Sequence, residues 1–345
     1  MTLIGMLHHR KRPQKVTKSY AYAAVAKAEG SELLYFSPKM VDFKKRVING
    51  FIYKDGGWKQ IESRFPDVIY NAGSPIKLNR SKKIITRLKE HIPFTTHSIG
   101  NKMSVYNRIQ KEGEFSNYLI PSSYVKSAGD VLGYLEHNQK IVFKPVKGHK
   151  GEGITFIEEQ GEDYYTKSLG SNKREINYKE LIDYIQSKIE EDLYLVQPYI
   201  NSKTKSGHSY DVRSHIQKDG NNNWVITSIY PRINLSDSII TNINSGGATN
   251  YLVPFLKQEF GDEYYDVKQY LERFSLQLAS HMEEIQKKYF DEQIDEIGID
   301  IGLDKKKKIW VYEVNWRPGC PPAFYLELDV VKNMIQYCLY LAKKR

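Results

Sequence analysis

Two carboxylates and an amide lie near the C-terminus at a spacing that suits a divalent cation. The chain runs Ile297-Gly298-Ile299-Asp300-Ile301-Gly302-Leu303, then Asp304-Lys305-Lys306-Lys307-Lys308, then Ile309-Trp310-Val311-Tyr312-Glu313-Val314-Asn315. The flanking segments are rich in β-branched and aromatic residues and the link is polar, so the stretch predicts a β-hairpin with a solvated turn. Side chains alternate along a strand, which sets Gly298, Asp300 and Gly302 on one face, as it does Glu313 and Asn315 on the second strand. The opposite face is expected to be apolar, with Ile299, Ile301 and Leu303 against Trp310, Tyr312 and Val314. Folded back symmetrically, the hairpin puts Asp300 opposite Glu313 with Cβ atoms about 5 Å apart, where like charges repel and ask for a cation. Two carboxylates and an Asn amide suit Mg²⁺, which completes its octahedron with water and phosphate oxygens. An acidic edge that faces water explains the same residues, since a slip of one residue separates the acids.

A second cluster has the chemistry of an anion site. Ile141 to Ile154 joins two strands through Gly148, Gly151 and Gly153, with Lys144 at the end of the first. Glycines let successive backbone N–H groups approach phosphate oxygens, and the lysine adds a cation. The order of residues is neither a Walker loop nor a dinucleotide fingerprint, and a simple flexible turn remains open. Downstream, the strand through Gln197-Pro198-Tyr199-Ile200 ends in backbone groups able to pair with a base, although an ordinary buried strand reads the same way. Asp211-Val212-Arg213 alternates an acid and a base, Arg232 follows Pro231, and Asn242 to Gly247 is a polar turn with amides for an anion. The structural alternative for each arginine is an ion pair.

These groups need a scaffold, and the pattern supplies an α/β one. Leu3 to Leu7 reads as a strand, Ser19 to Glu29 as a helix closed by Gly30, and Glu32 to Phe36 as a strand. A hairpin turns at Asp55-Gly56-Gly57 ahead of a strand at Asp67 to Tyr70. Helices are expected from Ser81, Lys102, Asn177, Tyr265 and Val330, with strand-rich chain between Tyr194 and Asn250. The expected division is residues 1–95, 96–196 and 197–345.

Composition narrows the class. The 345 residues are 40% hydrophobic and 27% charged, enough for a sizeable core in two or three subdomains. No apolar run approaches the roughly 18 residues of a membrane span. The short apolar start is followed by His8-His9-Arg10-Lys11-Arg12, the reverse of a secretory signal, so a cytoplasmic location is expected. Cys320 and Cys338 are too few for a disulfide framework. A net charge of +10 suits anionic small molecules, while scattered basic clusters without interleaved aromatics disfavour nucleic acid.

In this order the pieces resemble the ATP-grasp superfamily of carboxylate–amine ligases, and within it the endospore coat-associated YheC/YheD-like proteins. The likeness is strongest from Lys102 to Gly319. Phe143-Lys144-Pro145 with Gly148 to Gly153 resembles the large phosphate loop, and Gln197 to Ile200 the adenine hinge. Asp211-Val212-Arg213 resembles the Asp-Ile-Arg strand of the glutamate-ligase and glutathione-synthetase branches, Arg232 the basic strand residue, and Asn242 with Gly246-Gly247 the Asn and Gly-Gly turn. Gly298-Ile299-Asp300 and Glu313-Val314-Asn315-Trp316-Arg317-Pro318-Gly319 resemble the magnesium signature.

The resemblance implies an ATP-grasp fold of α/β (α+β) class: an N-terminal α/β domain, a small lid and a C-terminal grasp subdomain that clasp ATP. It implies a ligase that activates a carboxylate as an acyl phosphate and joins it to an amine. Asp300, Glu313 and Asn315 would hold one or two Mg²⁺ ions, with Mn²⁺ a possible substitute. Lys102 and Lys144 would steady phosphates, and Arg232 the transferred group. Gly246 and Gly247 would hold the acyl phosphate, and Arg213 and Arg317 would clamp a substrate carboxylate. Asp211 and Asn242 join the nucleotide set. Substrates would be small-molecule or peptide carboxylates and amines, with no membrane partner; a homo-oligomer or a spore-coat assembly is an open alternative, and the likeness implies a spore-associated location. A kinase of the same fold and a nucleotide-binding structural protein of a spore coat remain alternatives.

Overall fold

The computed structural model describes residues 1–16, 18–73, 79–147, 153–161, 163–168, 173–234, 247–318 and 327–344. Gly148, Gly151, Asn242 and Gly246 lie outside these residues.

The first sheet contains β1 (Leu3–His8), β2 (Glu32–Phe36), β3 (Val41–Asp42), β4 (Val47–Lys54), β5 (Gly57–Arg64), β6 (Val68–Gly73) and β7 (Phe94–Thr95), with helices α1 (Lys18–Ala28) and α2 (Asn79–Lys89). Its order is β3-β4-β2-β1-β6-β7, with β5 beside β4. The run β2-β1-β6-β7 is parallel, and β1 is buried along its whole length, as a strand covered on both faces must be. Lys54 pairs with Gly57, so the turn is the two-residue Asp55-Gly56. Their φ angles of 50° and 73° meet the left-handed requirement of a type I′ turn.

The second sheet is antiparallel: β8 (Ser123–Val125), β9 (Lys140–Pro145), β10 (Thr155–Gln160), β11 (Asp163–Ser168), β12 (Arg174–Ile176) and β13 (Tyr194–Pro198), in the order β12-β11-β10-β9-β13-β8. Ahead of it comes α3 (Lys102–Glu112); α4 (Ala128–His137) and α5 (Tyr178–Glu191) cover one face. The third sheet holds β14 (Tyr210–Lys218), β15 (Trp224–Ile233), β16 (Ala248–Thr249), β17 (Glu296–Leu303) and β18 (Ile309–Trp316), in the order β16-β15-β14-β17-β18. Helices α6 (Leu252–Phe260) and α7 (Tyr264–Phe290) pack beneath it, and α8 (Glu327–Lys343) closes the chain.

Two helices find their core away from their neighbours in sequence. Val105, Tyr106 and Ile109 of α3 join the large core under the third sheet, with Ile299, Ile301 and Val311. Val331, Met334, Ile335 and Cys338 of α8 return to the first sheet, against Ile4, Met6, Tyr22 and Tyr70. Each lays an apolar face on a core it shares with other helices, α8 beside α1 and α3 beside α6 and α7. No helix among the described residues is long and apolar enough to cross a membrane.

Asp295 links the first and third sheets. Its carboxylate accepts from the Thr96 amide and, at 3.1 Å, from the Thr96 hydroxyl. Burial first, and then the charge of Glu296, push its carboxyl up from 3.8 to about 7. A raised acid favours the folded state most below its ordinary value and loses that contribution as pH climbs through the folded value. Asp295→Asn keeps an acceptor for the Thr96 amide. It is expected to leave the melting temperature unchanged at pH 4 and to raise stability at pH 8 by roughly 1 kcal/mol or more; paired thermal melts check this.

Candidate functional site

Neighbouring strands of the third sheet bring the separated acids and bases onto one surface. Arg213 on β14 pairs in register with Asp300 on β17, which pairs on its other side with Glu313 on β18. Asp211 on β14 pairs with Arg232 on β15. Arg213 grips Asp300 through Nε and Nη2, the second bond being 2.9 Å. Arg232 Nη2 reaches Asp300 Oδ2 at 3.0 Å and also forks onto Asp211 at 2.6 and 2.7 Å. All four residues are buried, so the charges are taken from water as two balanced pairs. Burial alone pushes the Asp300 carboxyl upward, but Arg213 and Arg232 outweigh it and bring it down to about 2.

A β-bulge sets the acidic edge. Leu303, Gly302 and Ile301 pair with Ile309, Trp310 and Val311, yet Asp300 pairs with Glu313. Tyr312 is the extra residue. Without it the five-residue turn would put Tyr312 opposite Asp300. This corrects the expected apolar face: Ile309, Val311 and Val314 are its buried members, while Trp310 and Tyr312 leave it. Trp310 Nε1 instead donates to Asp304 Oδ2 at 2.9 Å across the turn. Tyr312 lies over Gly302, where any Cβ would overlap its ring; a Cβ at Gly298 would overlap Pro318.

The two lysines approach this edge from the other elements. Lys144 is the penultimate residue of β9, Lys102 opens α3 behind its Asn101 cap, and Lys144 Nζ donates to Gln197 Oε1. Burial first, then the positive charge of Lys102, depress the Lys144 ammonium well below the ordinary lysine range, while Glu313 acts the other way. Lys102, Lys144 and Glu313 therefore share one electrostatic neighbourhood. Among the described residues Lys144 has no carboxylate in salt-bridge range, so a half-buried lysine beside a second cation lacks its anion.

The remaining positions fall as follows. Gln197 and Pro198 close β13, which lies inside the second sheet between β9 and β8. The Tyr199 amide is engaged, donating to Lys140 O at 3.0 Å, and Ile200 O accepts from the Ser202 amide at 3.0 Å. Gly153, at φ 75°, packs by Pro145 where the chain re-enters β10. Gly247 precedes β16, whose Thr249 pairs with Arg232. Asn315 pairs with Gly298, on the face of Glu313. Arg317 donates from Nη1 to Asn71 O on β6 at 3.1 Å and stacks 3.9 Å above Trp316. Arg213 thus meets Asp300 rather than standing free, and Arg317 reaches the first sheet. The place of Tyr312 as the bulge residue has no local sequence signal.

The residues fit a hydrated Mg²⁺ with polyphosphate. Asp300, Glu313 and Asn315 present hard oxygens on one face, and Glu313 and Asn315 make no side-chain hydrogen bond among the described residues. No cluster of three or more His, Cys, Asp or Glu side chains occurs among the described residues, so the amide is needed to complete the set. Asp300 Oδ1 accepts from Arg213 Nε alone and keeps a second lone pair for a metal, while Oδ2 is shared between Arg213 and Arg232.

Comparison with known proteins agrees with this layout. The chain is 24% identical over 334 residues to the endospore coat-associated protein YheD of Bacillus subtilis (strain 168), covering 91% of this chain and 72% of the relative. It is 21% identical over 304 residues to YheC of the same organism, covering 84% and 81%. The fold is similar to the ATP-grasp ligase PsnB complexed with minimal precursor (TM-score 0.57, 12% identity, 99% of each chain covered). It is also similar to D-alanyl-alanine synthetase A from Vibrio cholerae (TM-score 0.55, 11% identity, 99% and 98% covered). The three-sheet architecture is thus the ATP-grasp fold, and because the model of the YheC/D-like ATP-grasp family matches residues 91–341, the chain belongs to that family.

Proposed function

We propose that the protein is a Mg-ATP-dependent ligase that joins a carboxylate to an amine, the acceptor being a peptide or a small molecule. The observation that carries the reading is the meeting of Lys102, a half-buried Lys144 and Glu313 beside the Asp300 edge: among the described residues, two lysines without a paired anion next to one carboxylate, Glu313, without a paired cation. In this reading Lys102 and Lys144 hold the nucleotide phosphates and Gln197 orients Lys144. Bound Mg²⁺, held by Asp300, Glu313 and Asn315, would neutralise charge on the phosphate oxygens. The acceptor carboxylate attacks the γ-phosphorus and ADP leaves; the amine then attacks the acyl carbon and phosphate leaves. Arg232, which shares Asp300 with Arg213, would stabilise the charge that grows on the transferred group. By the family resemblance, a lid closed over the site would exclude water from the acyl phosphate. The coat-associated relatives support a spore-associated location for this chemistry.

Incubation with Mg-ATP, amino acids and peptides, following ADP and new masses, tests the proposal. A new amide formed with ADP is expected; phosphorylated product without amide would make it a kinase, and binding without turnover a structural protein. Glu313→Gln is expected to keep the fold and to lower ADP formation by at least about 100-fold, in the range of lost transition-state charge stabilisation. An unchanged rate would refute the metal assignment.

A further inference from the structure

The carboxyl ends of β1 and β6 gather groups that the ligase chemistry leaves unused. His8 ends β1, stacks on His9 with ring centroids 4.2 Å apart, and is nearly buried. The Arg10 amide donates to His8 Nδ1 at 3.0 Å, which leaves the ring proton on Nε2. Burial, then His9, Arg10 and Arg317, hold His8 down at about 4, so at neutral pH it is an uncharged donor among cations. A Cβ at Gly73 would lie 2.5 Å from His8 Cδ2, so the absent side chain leaves room for the imidazole.

Arg317 arrives from the third sheet, two residues beyond Asn315, and its fork is only partly used, by Asn71 O. Neither arginine forms an ion pair among the described residues. The acid that acts on Arg317, Glu296, is bonded to His215 at 2.9 Å. Asn71 is itself buried, and its Oδ1 has no donor. Arginine forks, a neutral N–H donor and an orphan acceptor at the ends of parallel strands match a carboxylate attached to an amide backbone.

Building on the ligase reading, we propose that the strip between Arg317 and the ends of β1 and β6 binds a second carboxylate of the acceptor, which makes the preferred acceptor an acidic peptide. The test titrates the full chain, with Mg-ADP present, with tri-glutamate and with tri-glutamine. Tri-glutamate is expected to bind at least 10-fold more tightly; Arg317→Ala should erase that preference and Arg317→Lys restore part of it. Arg10→Ala, at an exposed side chain, should weaken the preference even if the Arg317 variants fail to fold. Equal affinity for the two peptides with Mg-ADP bound normally overturns the acidic subsite alone, whereas failure to bind Mg-ADP strikes the ligase reading. Binding of a phosphoserine tripeptide without binding of tri-glutamate overturns the carboxylate assignment.

Discussion

Asp300→Asn is expected to lower the unfolding free energy by about 3–5 kcal/mol and to abolish ADP formation. Arg213 would keep its buried positive charge and lose its partner, while Arg232 would keep only Asp211. Removing one member of a buried pair costs more than the pair contributes, because the survivor stays desolvated. The pH dependence has a definite sign. The Asp300 carboxyl is depressed from 3.8 to about 2 in the fold, so its contribution is present above the ordinary value and is lost as pH falls through the folded one. Between pH 5 and pH 2, in round terms, the wild-type chain should lose a component of stability that the variant never had. Urea titrations across that window check it; parallel curves for the two proteins would show that the network does not hold Asp300 in its charged form.

Lys144→Met should separate binding from stability. The methionine occupies a similar volume and removes a half-buried charge that desolvation and Lys102 oppose, so the nucleotide-free protein is expected to be as stable as the wild type or more so. Gln197 keeps Ser122 Oγ at 3.4 Å. Nucleotide affinity should fall by about 10- to 100-fold, the worth of a lost charge-assisted hydrogen bond of roughly 1.5–3 kcal/mol. Calorimetry of Mg-ATP binding with thermal melts of the free protein reads both effects. A destabilised variant with unchanged affinity would assign Lys144 to the core rather than to phosphate.

Which parts could be read locally follows from how far each signal reaches. The Asp55-Gly56 turn requires left-handed φ angles at both residues, and its two side-chain types advertise that. The β17 alternation is equally plain, since every second residue from Ile297 to Leu303 is Ile or Leu. Helix α4 is faint in the sequence because Gly129 and Gly133 weaken its pattern, although Ser127 and Asp130 form a capping box that marks its start. Helix α6 carries Pro254 in its first turn, where the missing N–H is harmless but obscures the reading.

Short-range pattern was therefore enough for element type, for the hairpin and for the residue kinds that suit a nucleotide and a metal, because period and turn chemistry are encoded within a few residues. Long-range packing settled three other matters: the bulge at Tyr312 that turns Glu313 toward Asp300, the two arginines that neutralise Asp300, and the return of α8 to the first sheet. The bulge lies within one hairpin, but the α8 contacts and the ion pairs depend on partners tens to hundreds of residues apart, Arg213 and Asp300 being 87 apart. Burial strengthens their mutual charge terms, and no window along the chain contains both members.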